Sequence, residues 1–110
     1  MIEETIARIE AQLKNAASLS DQNRAELLDL LARLKSELTT LSKTNAEQAR
    51  SIAGFTELTA HEATRQQQDE ALLGHALDGL NTSVKGVELR HPQLTGIVSG
   101  LIQSLTNTGI

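Results

Sequence analysis

This 110-residue sequence predicts an all-α chain: a helical hairpin or bundle with a long central helix, coiled-coil-like and oligomeric. Three observations predict it. Leu, Ala, Glu, Gln, Lys and Arg, all good helix formers, dominate the composition. Aliphatic residues recur at alternating steps of three and four, the spacing of one helical stripe. One proline and seven glycines leave few places to stop a helix. The apolar fraction is 39% but only one residue is aromatic, Phe55, so the core must be built from aliphatic ridges. The length fits a single domain spanning 1–110.

The first helix covers about 2–16. Ile2, Ile6, Ile9 and Leu13 step 4, 3, 4 along one face. Glu4/Arg8 and Glu10/Lys14 are favourably ordered i,i+4 pairs, each contributing about 0.2–0.5 kcal/mol. A helix this short is marginal alone and must lie against another.

Ser20 is the expected N-cap of the second helix, with Asp21 at its positive end. That helix is expected over about 20–65. Its seam runs Leu27, Leu31, Leu34, Leu38, Leu41, and the same register continues through Asn45, Gln48, Ile52, Phe55, Thr59 and Glu62. The first helix folds back on the leucine part as an antiparallel hairpin. A parallel stripe of small residues, Ala46, Ala49, Ala53, Thr56, Ala60 and Ala63, lets helices approach closely. Thr39, Thr40, Ser42, Thr44 and Gly54 weaken the helix and mark 39–45 for a kink or break. A continuous helix would be about 70 Å long. Asn45 then has two readings: a buried seam residue that fixes register in a two-stranded pairing, or an exposed Asn beyond the seam's end.

The polar stretch at 65–70 holds a turn. The third helix follows over about 69–90, with Leu73, Leu77, Leu80, Val84 and Val87 on its stripe and Leu72 and Ala76 alongside. Gly74, Gly79 and Gly86 interrupt it, each costing up to about 1 kcal/mol unless close packing requires it. Pro92 opens the fourth helix, about 92–107, and keeps His91 out of the α region. Leu94, Ile97, Val98, Leu101, Ile102 and Leu105 form its apolar face, with Gly96, Gly100 and Ser104 opposite. Gly109 is the expected C-terminal cap.

Composition also excludes function classes. Net charge is −4 and the ten basic residues are scattered singly, with no aromatic ladder for bases, so nucleic-acid binding is not expected. Without cysteine there is neither a disulfide nor thiolate chemistry. The charged, periodic start does not read as a signal peptide, and no segment reaches the ~20 apolar residues of a membrane span, which points to the cytoplasm.

The candidate chemistry is thin. His61-Glu62 begins HEATR, but a zinc-binding helix needs a second His four positions after the first, and that position is Arg65. His61, His75 and His91 have no ligand spacing; His91, beside Pro92, suits a structural role at a helix end. Asp69, Glu70 and Asp78 read as a solvated face, since acid–base work needs a pocket that perturbs them. Asn81-Thr82-Ser83 is a glycosylation triplet without meaning in a chain that is not secreted. No catalytic, cofactor-binding or metal-binding residue is expected, and the chain is not expected to be an enzyme.

SLSDQN…ELLDLLARL, ALDGLNTSVKGVELRHPQLTGIVSGLIQSL and the final Gly-Ile resemble a family of short bacterial proteins known only as a domain of unknown function. The carrying residues are His91-Pro92, Leu94 and Gly109-Ile110. The resemblance spans 1–41 and about 69–110, with 42–68 as an apparent extension of the second helix. It implies a bacterial helical protein and brings no catalytic residues.

A rod reaching residue 65 has more apolar seam than three other helices can cover, so the expected partner is a second copy. The packing residues are Leu27, Leu31, Leu34, Leu38, Leu41, Asn45, Ile52 and Phe55, with Leu94, Val98, Leu101 and Leu105 on the last helix. The expected role is a structural, scaffold or adaptor protein acting by homo-oligomeric packing. The alternative is a regulator that binds a helix of a different protein. Peripheral membrane association through the last helix is the weakest reading, because that helix carries no Lys or Arg on its polar face.

Overall fold

A computed structural model describes residues 2–87 and 90–107. They form α1 (Ile2–Asn15), α2 (Asp21–Ser42), α3 (Ala46–Ala63), α4 (Glu70–Lys85) and α5 (Pro92–Asn107).

The helix expected over 20–65 is therefore two helices, broken at residues 43–45. Four hydroxyls near the break turn back on the backbone. Thr39 Oγ1 donates to the Lys35 carbonyl (2.8 Å), Thr40 Oγ1 to Ser36 (3.3 Å), Ser42 Oγ to Thr39 (2.7 Å) and Thr44 Oγ1 to Leu41 (3.2 Å). Such bonds compete with a regular helix, and here they crowd its last turns. Asn45 is not a seam residue. It is exposed and N-caps α3, its Oδ1 accepting from the Gln48 N–H at 3.2 Å. The molecule's longest extent is 37 Å, about half of what a continuous rod would need.

Folding the rod in two changes what covers the leucine seam. Leu27, Leu31, Leu34, Leu38 and Leu41 are each at most 2% exposed within the one chain. α2 packs against α5, α1 and α3. Ile6, Ile9 and Leu13 come from α1, and Leu94, Val98, Leu101 and Leu105 from α5, all within the same buried cluster. Leu94, Val98, Leu101 and Leu105 of the apolar face of α5 are thus occupied inside the fold, while Ile97 and Ile102 on the same face stay half-buried. The small-residue side of α5 meets α2: a Cβ on Gly100 would lie 3.4 Å from Leu30, and Ser104 Oγ donates to Glu26 at 3.1 Å.

The α1–α2 turn is held by Arg24. Its guanidinium donates to the carbonyls of Leu13 (3.1 Å) and Ala16 (2.7 Å), at the end of α1 where carbonyls lack intrahelical partners, and to that of Leu19 (3.2 Å) in the turn. Ser20 caps α2 as expected, accepting from Asn23 N–H at 3.1 Å. Asp69 caps α4 by accepting from Ala71 and Leu72. α4 ends at Lys85, short of the expected 90, with Gly86 at the cap position; His91 N–H donates to Val87 O at 2.8 Å. The expected cap at Gly109 lies outside the described residues, as do Glu88 and Leu89.

α3 sits between α1 and α4, with α2 beneath it. Its buried face is the small-residue stripe: Ala49, Ala53, Thr56, Ala60 and Ala63 are all at most 3% exposed. Thr56 and Thr59 are buried with their hydroxyls bonded to the carbonyls of Ile52 and Phe55, each at 2.7 Å. Small side chains let the other four helices crowd around this one.

Candidate interaction surface

Burying its small residues turns α3's larger ones outward. Of the seam residues expected on this stretch, Ile52 is fully buried but Phe55 is 37% exposed. The physical reason is the break at 43–45, which lets α3 rotate independently of α2 and bury the alanine stripe one position over. Leu58, 44% exposed, belongs to neither stripe. On α4, Leu72 is 45% exposed. These three are the large exposed hydrophobic side chains among the described residues.

α3 and α4 form an antiparallel hairpin. Gln48 Nε2 donates to the Ser83 carbonyl, and Phe55 lies against Gly79. Any Cβ at Gly79 would collide with the Phe55 ring, so the glycine is what admits the ring edge between the helices. Gln48, Ser51, Asp78 and Thr82 border the shallow cleft beside it, about 410 Å³.

On the other flank of α3 lies a cavity of about 290 Å³ lined by Ile2, Thr5, Arg8, Arg50, Ala53, Gly54 and Glu57. Gly54 has nothing within 4 Å of where a Cβ would stand, so it leaves a notch open to the outside. Arg8 spans the α1–α3 boundary there. Its Nε donates to Glu57 Oε2 at 2.7 Å, rather than only pairing with Glu4 along α1 as expected. That hydrogen bond, and then the Glu57 charge, raises the Arg8 pKa. Leu58 stands one turn from this notch, as a ridge on the same helix.

The HEATR segment closes on itself. Glu62 is 6% exposed, and Arg65 Nη1 donates to its Oε1 at 2.8 Å. The hydrogen bond to Glu62, then its charge, raises the Arg65 pKa. The arginine that breaks the zinc motif is thus the partner of the buried carboxylate. His61 Nδ1 stands 3.4 Å from Gln12 Nε2 on α1, and its Nε2 lies 3.8 Å from Glu62. His75 is exposed on α4 and His91 half-buried before α5. Among the described residues no three His, Asp or Glu side chains gather in a metal-holding group, and no helix is long and apolar enough to cross a membrane.

A second groove runs between α2 and α5, about 440 Å³, with Leu30 and Ile97 on its walls and Arg33, Glu37 and Gln93 on its rim.

Leu58 carries a signal in the sequence: it is the single leucine of 46–63, and it falls on no apolar stripe. Leu72 could be seen only as a flanking residue of the α4 stripe. The pairing of Gly79 with Phe55 has no sequence signal, because it joins positions on two helices.

A family model described as a domain of unknown function, DUF4404, matches residues 28–110. The matched region includes 42–68, expected as an extension outside the resemblance, and leaves out 1–27, which the expected resemblance takes in. Neither the curated proteins nor the solved structures offer a match.

Proposed function

The chain belongs to the DUF4404 family, a domain of unknown function, and from that premise we propose that it is a non-enzymatic structural or adaptor module working by self-association. The carrying observation is the exposure of Phe55, Leu58 and Leu72 on the α3–α4 hairpin while every leucine of the α2 seam is covered. The chain no longer needs a second copy to hide residues 27–41. What supports association is a different surface, made where the one aromatic residue and two leucines stay in water. Large apolar side chains that remain half-exposed beside a buried alanine stripe are the material of a helix–helix contact.

Sedimentation equilibrium tests this reading. At micromolar concentration the chain is expected to dimerise, and Leu58→Glu to be monomeric with unchanged helicity. A monomeric wild type, or a Leu58→Glu variant that dimerises as tightly, contradicts it.

A second reading, regulation by binding a helix of another protein, draws on the groove between α2 and α5, whose apolar walls and charged rim suit an amphipathic helix. A stoichiometric partner that co-purifies with the wild type and is lost on Ile97→Glu would favour it.

A further inference from the structure

We infer that two copies pack α3 against α3 in antiparallel fashion, around a two-fold axis at position 56, with Leu58 of each copy seated in the Gly54 notch of the other. This rests on the self-association reading above and specifies its geometry.

The outward face of α3 and the residue just past its end carry Glu47, Ser51, Gly54, Leu58, His61 and Arg65. Their steps are 4, 3, 4, 3, 4, the spacing of a narrow two-helix seam. The series is symmetric about position 56. A two-fold axis there places Gly54 opposite Leu58, Ser51 opposite His61, and Glu47 opposite Arg65. Each pair sets a small side chain against a large one, or an acid against a base. A two-fold interface must be self-complementary in this sense, since one patch serves as both partners. A parallel pairing would instead oppose Leu58 to Leu58, Glu47 to Glu47 and Arg65 to Arg65, which is like charge against like charge at both ends.

The shape agrees with the charge. Leu58 projects with 44% of its surface exposed, and one turn away Gly54 opens a cavity of about 290 Å³ between α3 and α1. Knob and hole lie on one helix and are exchanged by the axis. Glycine at the hole lets the two helices approach towards the ~8 Å end of helix spacing. The Arg8–Glu57 pair at the rim keeps α1 in place as the far wall of the hole. Phe55 then flanks the seam on the α4 side, its exposed edge reaching the partner while Gly79 holds its inner edge.

The chain has no cysteine, so crosslinks can be placed cleanly. Ser51 and His61 are about 15 Å apart along one helix, too far for a disulfide within one chain. Ser51→Cys and His61→Cys are made as separate full-length proteins, leaving Leu58 and Gly54 intact. On mild oxidation the 1:1 mixture is expected to form a covalent 51–61 dimer at least tenfold faster than either protein does alone. Crosslinking of each variant with itself as fast as in the mixture would overturn the antiparallel register. If the wild type dimerises through Leu58 yet the mixture shows no preferred crosslink, the register is wrong while self-association stands. If the wild type is monomeric, both fall.

Discussion

The two halves of the molecule solve the same packing problem in opposite ways. Around α2, a ladder of five leucines points inward and disappears beneath α1, α3 and α5. Around α3, the ladder pointing inward is Ala49, Ala53, Thr56, Ala60 and Ala63, and larger residues, Phe55 and Leu58, point out. The first arrangement gains its stability from apolar area. The second gains closeness, so that α1, α2, α4 and α5 all reach α3, and it leaves Phe55 and Leu58 exposed. One half holds the fold together; the other presents a face.

Substitutions that exchange the logic of the two halves separate them. The largest effect is expected in the leucine ladder. Leu34 is fully buried, and Leu34→Ala should cost about 2–5 kcal/mol in urea unfolding, from lost transfer energy and the cavity left behind. Leu58→Ala, on the exposed face, should cost less than about 1 kcal/mol when both proteins are unfolded below the concentration at which the chain dimerises. Equal losses would mean that α3's outward face is part of the monomer's core.

A smaller effect, with opposite signs at two positions, is expected from the glycines. Gly54→Ala meets only open space and should stabilise the monomer by roughly 0.5–1 kcal/mol through helix propensity. Gly79→Ala forces the Phe55 ring to move and should destabilise by about 1 kcal/mol net, the strain outweighing the same propensity gain. In a Phe55→Ala background the Gly79→Ala penalty should vanish. Thermal unfolding of the four proteins checks this, and a persistent penalty would place the glycine's role elsewhere.

The same contrast explains what could be read from the sequence. Around α2 nearly everything was legible: the leucine spacing, the Ser20 cap, the fold-back of the first helix and the start of α5 at Pro92. Each depends on local chemistry or on one strong period. Around α3 less was legible, because the leucine seam's period runs unbroken from Leu41 into Asn45 and Ile52 although the helix does not. The hydroxyls at 39, 40, 42 and 44 were visible as weak points. That they turn back on the carbonyls, and that Asn45 caps a new helix instead of continuing a seam, depends on where the chain goes next. Once α3 is free to rotate, the choice between burying Phe55 and burying the alanines is decided by how many helices must fit around it. The exposed face follows from that tertiary choice.

The chain doubles back at 43–45, so that one polypeptide covers its own leucine ladder. Small-angle X-ray scattering of Leu58→Glu in dilute solution tests this most directly. The expected result is a globular particle whose largest dimension is close to the 37 Å extent of the folded chain. A rod approaching ~70 Å, the length of an uninterrupted helix over 20–65, would contradict it.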